Sequence, residues 1–208
     1  LNQQGKGVAI IGEPGAGKTT LLCAIADWIM KQGELPIFIS LQDLEAGLEP
    51  YLLETWLRNA ISKRKAPEQL QDDLIEQCNA GRVWLLLDGI DEMAQSNQSL
   101  STLAKEFRGW VGHARIVLTC RVNVWEVNKN ELRSKFEVYR SRGFRDEEQL
   151  IFIQNFFKKA KQVETGRKLI EKFNNATPRL KDLIKNPLWI TLLCRTWKRQ
   201  QGELPATK

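Results

Sequence analysis

The sequence predicts an α/β protein: a three-layer αβα sandwich around a five-stranded, mostly parallel sheet, followed by a small all-helical domain. Three observations carry this expectation. Short apolar runs rich in branched residues alternate with segments of helical periodicity as far as residue 143. A glycine-rich turn, GEPGAGKT at Gly12–Thr19, joins the first such run to the first helical segment. After Arg145 the strand signals stop and apolar positions recur only at helical spacing. The expected domains are therefore 1–143 and 144–208.

The elements follow in order. GVAIIG (Gly7–Gly12) reads as a buried strand ended by glycine. The next segment, GKTTLLCAIADWIMKQG, reads as a helix with Leu21, Leu22, Ile25, Trp28 and Ile29 on one face and Gly33 past its end. LPIFISL (Leu35–Leu41) is a second strand, PYLLETWLRNAISKR a helix, and Pro67–Asn79 another. RVWLLLD (Arg82–Asp88) is apolar enough to be buried on both faces. Ser99–Val111 is expected to be helical, Arg115–Cys120 a fourth strand, and FEVYRSRGF to hold a fifth. Helices are then expected in DEEQLIFIQNFFKKA, TGRKLIEKF and NPLWITLLCRTWKRQ.

Composition removes several classes of function. No apolar run approaches the roughly 18–20 residues needed to cross a bilayer, so a cytoplasmic protein without membrane contact is expected. The chain starts at Leu1 rather than methionine, which reads as a piece of a longer protein. Cys23, Cys78, Cys120 and Cys194 have no paired spacing and read as reduced, buried thiols. His113 is the only histidine, which argues against a zinc site or a histidine-based triad. Charge is uneven. Residues 1–144 hold 17 Lys and Arg against 18 Asp and Glu, whereas residues 145–208 hold 14 against 7.

The glycine-rich turn carries the chemistry. It fits G-x-x-x-x-G-K-[ST], with a strand before and a helix after. Gly12, Gly15 and Gly17 let successive backbone N–H groups turn inward as an anion nest, to which Glu13, Pro14 and Ala16 also belong. The helix start adds positive potential. Lys18 supplies a cation for β- and γ-phosphates, Thr19 a hydroxyl for Mg²⁺, and Thr20 is a phosphate neighbour. Asp88 ends an apolar strand that is expected to lie next to the strand of the loop, which would bring its carboxylate to the Mg²⁺. Gly89 stands where many ATPases carry glutamate, and Asp91 and Glu92 follow. A GTPase would want D-x-x-G at the acidic strand and N-K-x-D after a later one. NKNE at Asn128–Glu131 lies in a polar segment away from the strand end, so adenine nucleotide is favoured.

GEPGAGKTT, LLLDGIDE, RIVLTCR and NPLWITLLC, in this order and spacing, resemble the NACHT-type P-loop ATPases. These belong to the STAND class of signal-transducing ATPases, which includes animal and plant immune sensors and bacterial defence proteins. The resemblance spans almost the whole chain. It implies that Lys18 and Thr19 hold phosphate and Mg²⁺, and that Asp88 is the acid on the metal side. It places Asp91 and Glu92 where the attacking water is polarised. Their residue types do not rank them, although Glu92 has the longer reach. Arg121 matches the arginine that senses the γ-phosphate, and Pro187 the proline near adenine. Proline in a first helical turn, capped by Asn186, has a purely structural reading as well.

The resemblance further implies an ATP- or ADP-dependent switch with slow Mg²⁺-dependent hydrolysis. Winged-helix and sensor domains of the same chain would complete it, and the ATP state would self-assemble. Two other readings compete. The basic runs SKRK, KKAK and RTWKR could serve a nucleic-acid-acting ATPase, but they lack a stacking aromatic series and are not favoured. A GTP-binding signalling protein is the third.

Overall fold

In a computed structural model of the chain, the described residues are 7–44, 47–93, 102–132 and 134–199, with backbone only at 128–132. Five strands form one sheet: β1 (Gly7–Gly12), β2 (Leu35–Ser40), β3 (Val83–Asp88), β4 (Arg115–Arg121) and β5 (Phe136–Arg140). Their order is β2-β3-β4-β1-β5, and all four pairings are parallel. Asp88 therefore ends a strand that is not the neighbour of β1, contrary to expectation. β4, buried from Ile116 to Cys120, lies between the two. A parallel crossover can land beyond an adjacent strand, so chain order does not set sheet order.

Helices cover both faces of this sheet. α1 (Lys18–Lys31) packs Leu22 and Ile29 onto one face with Ile10, Trp84, Leu86 and Val117. The predicted stripe is too wide, since Leu21 and Trp28 are exposed. Trp28 meets the ring of Trp84, edge to face at 6.4 Å. On the other face lies a larger core that includes Ile37, Leu52, Leu74, Leu85, Leu118 and Trp125. Leu48–Pro50, Tyr51–Trp56 and Leu57–Ala60 run as one helical stretch, π-helical in its middle. α2 (Glu68–Asn79) follows. Of the helix expected at Ser99–Val111, residues 102–106 are helical and Trp110–His113 form a 3₁₀ turn, while 99–101 lie outside the described residues. α3 (Val122–Leu132) starts directly where β4 ends and was not expected. It contains Asn128–Glu131, and it is anchored by buried Trp125 edge-to-face on Phe136.

The remaining described elements are helices: α4 (Asp146–Lys159), α5 (Val163–Asn174), α6 (Pro178–Leu183) and α7 (Pro187–Arg199). These surround a second core of Ile153, Phe157, Leu169, Phe173, Ile190 and Trp197. α6 is short and was not anticipated. Thr177 caps it, with Pro178 at its first position. The chain divides into two compact units, Leu1–Glu13 with Lys18–Arg140 and Pro14–Gly17 with Ser141–Lys208. No helix among the described residues is long and apolar enough to cross a membrane.

Candidate functional site

The site is built at the C-terminal ends of the parallel strands, where open α/β sheets place their ligands. β1 ends at Gly12, and register pairs Gly12 with Arg121 at the end of β4. Lys18 opens α1 and folds back over the loop, donating from Nζ to the carbonyls of Gly12 at 3.1 Å and Glu13 at 3.2 Å. Thr19, one residue into the helix, donates from Oγ1 to Asp88 Oδ2 at 2.8 Å. The helix start thus reaches past β4 to the acid at the end of β3. Thr20 is exposed, and Glu13 lies 3.9 Å from Arg140 at the surface.

The other oxygen of Asp88 is held from within the sheet. The Thr119 hydroxyl donates to Asp88 Oδ1 at 2.5 Å and accepts from the Gly89 N–H at 2.8 Å. Thr119 is fully buried, one of two buried polar residues among those described. It was missed in the sequence because a single threonine inside an apolar strand carries no local signal.

The paired acids separate. Asp91 Oδ2 lies 2.7 Å from Arg121 Nε, and Asp91 Oδ1 accepts from the Arg121 backbone N–H at 2.8 Å. The Asp91 side chain is only 3% exposed, against 45% for Arg121. Glu92 is 49% exposed and approaches Arg121 no closer than 3.8 Å. Its carboxylate folds back over Gly89, with Oε2 3.1 Å from where a Cβ on that residue would stand. Gly89 has φ +76°, so the missing side chain serves both the left-handed turn and the space Glu92 uses.

Within the second unit, three successive loop carbonyls are held. Asn186 Nδ2 donates to the Pro14 carbonyl at 2.9 Å, the Leu188 N–H to that of Gly15 at 3.2 Å, and Ser141 Oγ to that of Ala16 at 3.1 Å. Holding the carbonyls in this way suits a nest, in which successive N–H groups turn to an anion. Asn186 Oδ1 also accepts from the Leu188 N–H at 2.9 Å, which caps α7 as its residue type predicts. Gly15 has φ +74°, and a Cβ there would sit 2.7 Å from that of Leu188. Pro187 occupies the first turn of α7, its Cγ 3.9 Å from a Cβ position on Gly17. Asn186 and Ser141 are further residues the sequence reading did not place against the loop. Their contacts are with backbone, which side-chain patterning does not reveal.

The NACHT domain model matches residues 6–160, well over half of the chain. The chain belongs to the NACHT domain family. NACHT domains are nucleotide-binding P-loop NTPase modules, and the sheet, loop and acid strand of this one have that form. No curated protein matches the chain. Among solved structures, AMPPCP-bound DnaA from Aquifex aeolicus is similar with TM-score 0.50 and 14% identity, over 93% of this chain and 55% of that one. A RuvB variant from Thermotoga maritima is similar with TM-score 0.50 and 15% identity, over 91% and 53%. The chain thus spans about half the length of these structures, and the likeness is one of fold.

The cysteines of this NACHT chain complete the electrostatic picture. Cys120, between Thr119 and Arg121, is pushed up to about 12 by burial first and then by the Asp91 charge, with Lys18 opposing. Burial alone raises Cys78 to about 11 and Cys194 to about 12. Cys23 departs from the expectation of buried thiols, because it lies on the exposed side of α1.

Proposed function

We propose that this NACHT module binds ATP and ADP with Mg²⁺ and uses them as a conformational and oligomerisation switch within a larger signalling or defence protein of the STAND class. The observation that carries the reading is the 2.8 Å pairing of Thr19 with Asp88, residues 69 positions apart. A hydroxyl and a carboxylate are hard oxygen donors, the set that suits Mg²⁺ rather than a softer metal. Thr19 and Asp88 would hold the ion. When bound, it supplies charge neutralisation at the phosphates. The loop from Gly12 to Thr20 cradles the phosphates, and Lys18 turns from loop carbonyls to phosphate oxygens. Residues 1–143 form the nucleotide-binding domain and 144–208 its first helical domain, with Pro187 contributing to the adenine end.

Hydrolysis in this reading is slow and belongs to Glu92. Both oxygens of Asp91 are committed to Arg121, so Asp91 sets the arginine that senses the γ-phosphate. Glu92 keeps an accessible carboxylate over Gly89, the place an adjacent glutamate takes in other ATPases. Inverting a 1:99 population requires a ligand preference of about 5.5 kcal/mol. Contacts of a γ-phosphate with Arg121 and the metal supply part of that, and assembly of the full-length protein the rest. Isothermal titration with ADP and ATP in Mg²⁺ tests the reading. Lys18→Ala is expected to abolish binding, and unchanged affinity in that variant overturns the proposal.

A further inference from the structure

Thr119 is the one polar side chain inside the apolar body of β4, and both of its hydrogen bonds end at the acid turn of β3. The register that pairs Leu87 with Leu118 carries Asp88 to the side of Thr119. The hydroxyl has one proton and two lone pairs. The Gly89 N–H occupies a lone pair at 2.8 Å, and the proton is given to Asp88 Oδ1 at 2.5 Å. Donation into a hydroxyl strengthens the bond that hydroxyl donates in turn. Asp88 Oδ1 is thereby tied into the sheet, and Oδ2 is directed to the side of Thr19.

We infer that Thr119 is the positioning residue of the metal-side acid, fixing the Asp88 carboxylate and the left-handed Gly89 together so that only Oδ2 is presented to Mg²⁺. The inference rests on the reading that Mg²⁺-nucleotide binds at Thr19 and Asp88. Thr119 does not touch nucleotide itself. It acts on the metal through Asp88, so in nucleotide binding its loss is felt only when the metal is present. Residues that orient a metal ligand are worth about 10–100-fold in metal affinity. Removing the hydroxyl also leaves a buried N–H and a carboxylate oxygen without their partner.

The test is ADP affinity of the parent, Thr119→Val and Thr119→Ser, each measured in Mg²⁺ and in EDTA. The ratio of the two affinities is the readout, because a general loosening of the fold lowers both alike. Thr119→Val is expected to lose about 10-fold or more of the Mg²⁺ enhancement while its EDTA affinity stays within about twofold. Thr119→Ser, which keeps the hydroxyl, is expected to retain most of the enhancement. Should Thr119→Val not fold, Thr119→Cys carries the same expectation, since a thiol is a poor donor at that position. An unchanged ratio in the hydroxyl-less variant overturns the inference, as does a parallel fall of both affinities. A parent chain that binds ADP equally in Mg²⁺ and EDTA overturns the proposed function, and the inference with it.

Discussion

Asp91 and Glu92 are adjacent in sequence and of one chemical kind, yet their surroundings differ. Asp91 is enclosed and gives both oxygens to Arg121, one to the side chain and one to the backbone. Glu92 is open, and the space above Gly89 receives it. In single-turnover hydrolysis, Glu92→Gln is expected to lower the rate about 100-fold while ATP affinity is retained. Asp91→Asn is expected to act on the fold first. Hydrogen bonds to charged groups are worth about 1.5–3 kcal/mol, discounted here because Arg121 is half exposed, so a loss of about 1–2 kcal/mol should appear in thermal melting. If Asp91→Asn abolishes turnover at parental stability and Glu92→Gln does not, the assignment of the two acids is reversed.

At the scale of an element, the helical stretch beginning at Leu48 shows how a distant residue starts a helix. Its first N–H groups lack intrahelical partners. Glu106 supplies the acceptor, with Oε1 2.9 Å from the Leu48 N–H. Burial raises the pKa of Glu106 above its ordinary value, bonds from the Leu48 and Glu49 N–H groups pull against this, and the Glu49 charge adds to it. An acid with a raised folded pKa favours its protonated form in the folded state. Its stabilising contribution is complete below the ordinary carboxylate pKa and is lost as pH climbs through the raised value. Glu106→Gln keeps an oxygen acceptor and removes that dependence. Its melting temperature relative to the parent is therefore expected to be more favourable at pH 7 than at pH 4, and an equal difference at both would contradict the assignment. Elements also show where patterning succeeds. β3 and β4 were legible as continuous apolar runs, and α5 and α7 by their periodicity. α3 was not, because Val122, Val124, Trp125 and Val127 are followed by the polar run Asn128–Glu131 and no cap precedes a helix that starts directly from a strand.

Among the described residues, apolar side chains pack on both faces of the sheet and among α4–α7, and the thiols report on the sheet and on the helical core. Cys78 and Cys120 belong to the first and Cys194 to the second. All three are buried and held mostly protonated, whereas Cys23 is exposed. A thiol reagent at pH 8 is expected to modify one cysteine per native chain rapidly and four after denaturation. Fast reaction of Cys194 alone would mean that the helical core opens independently of the sheet. The sequence by itself determined the alternation of strands and helices, the phosphate loop with Lys18 and Thr19, the strand-ending Asp88 and the cap at Asn186. Each is a local signal, written in residues within a turn or a strand of one another. Only the tertiary structure decided that β4 separates β1 from β3, that Arg121 claims Asp91 and leaves Glu92 open, and that Thr119 holds Asp88. The contacts of Arg121 with Asp91 and of Thr119 with Asp88 join residues 30 and 31 positions apart. Hydrophobic periodicity tells which face of an element is buried, but not which strand lies beside it, and the lateral order of the strands brings these side chains within a hydrogen bond of each other.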